Sequence, residues 1–274
     1  MMSYQSVMVN LELGRSNSEL LRVAVDLAER FDAWVIGIAS CQPMQVDFGD
    51  GYVLGDLFEA DRDEIQHDIK LAEAEFRDAF AARRERIEWR AAATFEALAD
   101  YLASQARSAD LIITGLTSAS TAMRRVDIDD LVLQAGRPVL IVPATAEPLA
   151  LRRVLVAWND TREARRSVFD ALPLLALAEQ VMVVEIAAED ELAAARRRLV
   201  DVVDWLKRHG VAAQSQAFSS SGDDAARLRQ IAEDQGAGVL VAGAYGHSRV
   251  REWVFGGVTH DLLLRGNCCA LVAH

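Results

Sequence analysis

The strongest constraint on this chain is that it repeats its own pattern. SVMVNLELGRSNSELLRVAVDLAERFDAWVIGIAS, from Ser6, and RRVLVAWNDTREARRSVFDALPLLALAEQVMVVEIAA, from Arg152, share one layout: strand, polar turn, amphipathic helix, strand. The halves also close alike, with ADLIITG (109–115) and RPVLIVPA (137–144) in the first, and AGVLVAG (237–243) and CCALVAH (268–274) in the second. At 274 residues the chain is about twice the common domain length, so the repeat predicts two tandem units. The break between them is placed at 147/148, inside PATAEPL, where both periodicities lapse.

Short β-rich runs such as VLVAW, VMVVEI and GVLVAGA alternate with helical patterns, which is the signature of βαβ units around a parallel sheet covered on both faces. The expected fold is therefore α/β: two doubly wound, Rossmann-like units, each a five-stranded, mainly parallel sheet with helices on both faces. In the second unit the pattern predicts strands over 153–158, 181–187, 211–217, 238–243 and 269–273, and helices over 162–177, 190–209, 223–235 and 258–265. The first unit carries an insertion at 42–61, followed by a long helix over 62–86. The fifth strands, VLIVPA and ALVAH, are apolar edges that should pair with each other and join the units as a pseudo-dimer.

Charge narrows the function. The chain carries a net −12, which disfavours nucleic acid and anionic membrane surfaces as partners. No run reaches the roughly 18 uncharged apolar residues of a membrane span, and the N-terminal stretch lacks a basic region followed by a long apolar one, so the expected location is the cytoplasm. The acidity is uneven: residues 1–147 carry a net −11 and 148–274 a net −1, so an anionic ligand is favoured in the second unit. Cys41, Cys268 and Cys269 lack CxxC spacing and read as packing residues. The five histidines show no metal-ligand spacing, and Arg196, Arg197 and Arg198 read as a solvated helix surface.

One segment carries chemistry. In GAYGHSRVREWVFGGVTHDLL, Gly243, Gly246 and Gly256 are spaced G-x2-G-x9-G and are followed by Gly257, Val258 and Thr259. Glycines 243 and 246 permit positive φ and close backbone approach, so main-chain N–H groups can wrap phosphate oxygens. Gly256 to Thr259 present N–H groups and a hydroxyl at a helix N-terminus, and His247, Ser248 and Arg249 lie on the connecting loop as phosphate partners. In a doubly wound sheet the ligand crevice opens at the carboxyl ends of the strands where winding reverses, which brings in Asn159 and Asp160 after the first strand and the wall near Val184.

The duplicated α/β unit closed by this motif resembles the universal stress proteins, specifically the tandem type, over nearly the whole sequence. The resemblance implies that Gly243, Gly246 to Arg249 and Gly256 to Thr259 hold the phosphates and ribose of ATP, with or without Mg2+, while Asn159, Asp160 and Val184 contact the adenosine. It also implies a stress-response role and association through last strands, with homodimers common. Two departures stand out: Gly257 occupies the position where the family has Ser or Thr, and Asn159 stands where it has Asp.

The first unit's equivalent, GLTSASTAMRRVDIDDLVLQAG, keeps Gly115 but has Ser118 at the second glycine position, is two residues shorter and lacks the glycine pair. Counting back from Gly136 against Gly266 sets Asp127 opposite Gly257 and Asp129 opposite Thr259, and carboxylates there would cap the helix and repel phosphate. One nucleotide per chain is the expectation, with the first unit a degenerate scaffold. No nucleophile–base pair, P-loop or paired-carboxylate motif is present, so the leading reading is a nucleotide-dependent regulatory switch read by a protein partner. Two rivals stay open: a slow ATP-hydrolysing or nucleotidyl-transfer enzyme, and a nucleotide-independent interaction module using the 42–61 insertion or the acidic first half.

Overall fold

In the computed structural model the described residues are 3–44, 55–116, 125–144, 149–244 and 268–274. They form a ten-stranded sheet. The first unit supplies β1 (Ser6–Leu11), β2 (Trp34–Cys41), β3 (Ile87–Ala93), β4 (Leu111–Gly115) and β5 (Val139–Val142). The second supplies β6 (Arg153–Ala157), β7 (Gln180–Ala187), β8 (Ala213–Ser219), β9 (Val239–Gly243) and β10 (Cys269–Ala273). The order β3-β2-β1-β4-β5-β10-β9-β6-β7-β8 is one doubly wound layout followed by its mirror-ordered copy. Neighbours within each unit are parallel, and β5 meets β10 antiparallel through Val139–Val272, Leu140–Leu271 and Ile141–Ala270. The expected pairing of the fifth strands is thus present. Because that one junction is antiparallel, the strands of the two units run in opposite directions, so their carboxyl-end crevices open on opposite edges of the sheet. The boundary expected at 147/148 falls in 145–148, outside the described residues.

Helices α1 (Ser18–Phe31), α2 (Gly55–Ala79), α5 (Arg162–Leu175) and α6 (Leu192–Arg208) cover one face, where a continuous apolar core runs through both units. On the other face α3 (Leu98–Gln105) and α4 (Ile128–Gln134) cover the first unit and α7 (Asp224–Gln235) the second, over two separate cores. Sequence dictates the helix ends. Thr161 caps α5 by accepting from Ala164 N–H, Asp223 caps α7 by accepting from Ala226 N–H, and Gly236 closes α7 in the left-handed region at φ 59°. Among the described residues no helix is long and apolar enough to cross a membrane.

Two expectations need correction. The long helix does not run over 62–86: α2 starts at Gly55, inside the expected insertion, and ends at Ala79, followed by a 3-10 turn over Ala81–Arg86. The turn wins because Arg83 and Arg86 reach back to the α1–β2 corner, donating to the carbonyls of Ala33 and Asp32 and pairing with the Asp32 carboxylate. The third strand of the second unit starts at Ala213, not 211, because Val211 is used to close α6. It is buried, and its N–H donates to the Leu206 carbonyl after Gly210 turns the chain at φ 80°. The helix expected over 258–265 lies outside the described residues.

The units are also tied by a side chain. Tyr4 is buried with its ring edge-on to Phe31 at 5.1 Å, and its hydroxyl donates to the Asp170 carbonyl of α5 at 2.6 Å. Tyr4→Phe should lower unfolding free energy by about 1 kcal/mol in a urea titration, the worth of one such bond. Burial pushes the Cys269 thiol up to about 12, with Cys268 beside it adding to the rise. At pH 8 native protein should therefore resist alkylation at Cys269, and mass spectrometry should find that residue modified only after unfolding.

Candidate functional site

The second unit's winding reverses between β6 and β9, and the loop leaving β6 is built in layers. Trp158 N–H donates to the Val184 carbonyl at 2.8 Å, extending the β6–β7 ladder by one step. The Thr161 hydroxyl donates to the Asn159 side-chain oxygen at 2.9 Å while capping α5. Asp160, at φ 51°, is held by Arg165, whose guanidinium reaches both its carboxylate (3.1 Å) and its carbonyl (3.2 Å). Asn159 and Asp160 are thus both exposed at the crevice mouth on a loop locked by the helix they precede. Val184 is buried with Leu155, Ile231 and Leu240 on the α7 face.

Gly243 closes β9, and a Cβ there would lie 2.4 Å from the backbone nitrogen of Ala164 and 2.5 Å from the carbonyl carbon of Glu163. Its φ is not positive, so the residue is glycine because the first turn of α5 rests directly on the strand end. That is a correction to the turn reading. The expected Gly246, His247, Ser248, Arg249, Gly256, Gly257, Val258 and Thr259 lie outside the described residues. Among the described residues, a Cβ at Gly115, the N-terminal counterpart of Gly243, would meet only the Glu12 carboxylate, at 3.8 Å. The difference follows from loop length, since the segment between strand and helix cap is 12–16 in the first unit and 158–160 in the second.

A polar pair behind this loop escaped the sequence reading. Arg198 is not a solvated surface residue like Arg196 and Arg197. Its guanidinium donates to the carboxylate of Glu185, which is buried on β7. The other Glu185 oxygen and the indole Nε1 of the adjacent Trp158 are buried with no hydrogen-bond partner among the described residues. The signal was in the sequence: a lone carboxylate in the apolar run VMVVEIA requires a cation, and α6 had to supply it.

In the first unit the equivalent end of the crevice is occupied by the protein itself. The Asp127 carboxylate accepts from the N–H groups of Asp129 (2.9 Å) and Asp130 (3.1 Å), capping α4 as the residue count predicts. Glu75 of α2 accepts from the Asn17 N–H (2.9 Å) and the Ser16 hydroxyl (3.0 Å), pinning the loop after β1. Burial raises the Glu12 carboxyl above its usual range, against the opposing pull of Arg125 and Arg15. A larger cavity, of about 580 Å3, lies at the amino ends of β6 to β8 against Lys207 and Gln235. It faces the carboxyl-terminal turns of α6 and α7, the wrong polarity for phosphate.

No family model matches the chain, and no curated protein does. Solved structures do. A universal stress protein from Archaeoglobus fulgidus DSM 4304 superposes with a TM-score of 0.72 at 14% identity, covering 98% of this chain and 95% of that one. The fold is that of the universal stress proteins. A functionally unknown protein from Pseudomonas aeruginosa PAO1 shares it, with a TM-score of 0.62 at 17% identity over 98% of this chain and 92% of that one. At these identities the universal stress protein fold is what is shared, end to end, and the chemistry must be argued from this chain's own residues.

Two pairs of substitutions test this geometry. Gly243→Ala should cost about 1–3 kcal/mol by overpacking the α5 turn, whereas Gly115→Ala should stay within about 0.5 kcal/mol, both read by urea unfolding. Arg198→Met should cost roughly 1–3 kcal/mol by stranding the Glu185 carboxylate, and adding Glu185→Leu should recover most of that loss.

Proposed function

We propose that the C-terminal unit binds ATP, or another adenine nucleotide, and that the chain belongs to the universal stress protein family as a tandem member. The observation that carries the reading is the contrast between two copies of one crevice. Asp127 supplies a carboxylate cap to α4 in the first copy, and the residue opposite it in the second copy is Gly257, within GGVT. A capped helix start has its N–H groups used and a negative charge fixed over them, and a glycine start leaves both open to a phosphate. The uneven charge, −11 against −1, favours the same unit.

On this reading Gly246 to Arg249 and Gly256 to Thr259 hold the phosphates, and the Asn159–Asp160 loop meets the ribose and base. The first turn of α5, which follows the Asn159–Asp160 loop, rests on Gly243, at the start of the 243–259 motif. Val184 contributes through its place under that loop. The output is a population shift, since a nucleotide that prefers one arrangement of the 244–257 surface biases what a protein partner reads.

The test is a calorimetric titration of nucleotide-stripped full-length protein with ATP, with and without Mg2+, beside Gly246→Asp. The expected result is one site per chain and at least a tenfold loss of affinity in the variant, about 1.4 kcal/mol. Absence of saturation, or an unchanged variant, would contradict it.

A further inference from the structure

The crevice of the N-terminal unit has no claim on phosphate, yet it is not an inert scaffold. At the carboxyl ends of β2, β1 and β4, on the face covered by α3 and α4, Ser40, Asn10 and Thr114 form a row of buried polar side chains. The Asn10 amide donates to the Thr114 hydroxyl at 3.1 Å, and the Ser40 hydroxyl, on a residue only 6% exposed, has no partner among the described residues. All three line a cavity of about 60 Å3. A second cavity, of about 230 Å3, shares Glu12 and Arg125 with it and extends to Arg15, Glu64 and Asp68.

The internal repeat supplies a control. Strand register sets Asn10 and Thr114 against Ala157 and Ala242 of the second unit, and Ser40, two residues past the partner of Asn10, against Ile186. The same fold therefore forms with alanine, alanine and isoleucine at these positions. Burying a hydroxyl without a partner costs free energy, so packing gives no reason for the polar set. A ligand does.

We propose that the N-terminal crevice binds a small, neutral, hydroxyl-rich molecule of about pentose size that carries no phosphate. Asn10, Ser40 and Thr114 offer neutral donors and acceptors at the depth of the site. Glu12, Glu64 and Asp68 at the rim are acceptors for ligand hydroxyls, as carboxylates are toward a ribose diol, and with Arg15 and Arg125 they leave the lining slightly negative. An anion is disfavoured there, and the helix start that could have held a phosphate is closed by Asp127. This site stands apart from the nucleotide reading, because the two crevices open on opposite edges of the sheet.

Ligand-observed NMR on the full chain, with D-ribose, adenosine and ribose 5-phosphate as probes, tests it. Ribose or adenosine should show saturable binding that falls at least tenfold in Asn10→Ala/Thr114→Ala and in Ser40→Ile, and persists in Gly246→Asp. Ribose 5-phosphate should bind at least tenfold more weakly than ribose. The variants should melt at or above the wild-type temperature, because they install the residue types the other unit already uses. The proposal is overturned if neither neutral probe saturates, if the N-terminal variants bind them unchanged, or if the phosphate ester binds as well as the sugar. A steep drop in melting temperature in both variants would likewise overturn it, by giving the row a structural purpose.

Discussion

Three residue pairs along β5 and β10 set the plan of the molecule. Val139, Leu140, Ile141, Ala270, Leu271 and Val272 are all buried, and their antiparallel ladder is the seam at which two parallel sheets become one. Without it each unit would end in a flat apolar edge strand, a surface that invites uncontrolled pairing. With it, α5 packs over β9 and β10 and α1 reaches β5, so one core runs beneath both units. The seam also fixes polarity: it turns the second unit's strands against the first's, and the two carboxyl-end crevices cannot share a ligand or shield each other.

Independence of the crevices is what allowed them to diverge. The strands that build one crevice have register-matched partners in the other, so the strand positions compare residue by residue. Where the first unit has Leu11 beside Ala39 on the α1–α2 face, the second has Trp158 beside Glu185, with Arg198 called in to hold the carboxylate. Where the first has Asn10, Thr114 and Ser40 on the opposite face, the second has Ala157, Ala242 and Ile186. The first copy's helix start carries Asp127, and the residue opposite it by sequence count in the second copy is Gly257. Polar groups buried in this way lower stability more readily than they raise it.

Much of this was legible in the residues. Buried parallel strands write themselves as short β-branched runs, so strand existence, the repeat and the pairing of VLIVPA with ALVAH followed from pattern. The Asp127 cap followed from counting, because a cap depends only on local spacing. What failed was tertiary. The break after Ala79 depends on Arg83 and Arg86 finding the Asp32 corner, about 50 residues away in the chain. Arg198 looked like surface because its neighbours in sequence are charged, and only the fold brings Glu185 beneath it. Gly243 was read as a positive-φ glycine approached by a phosphate, but its φ is not positive and the backbone that approaches it is that of α5.

The central claim, that one crevice takes a nucleotide and its twin refuses it, is tested most directly by hydrogen exchange along the full chain with and without saturating ATP. The account predicts added protection in peptides covering 157–164 and 243–262, with no change in 10–18 or 125–134. Equal protection at both crevices, or protection at the Asp127 cap alone, would contradict it.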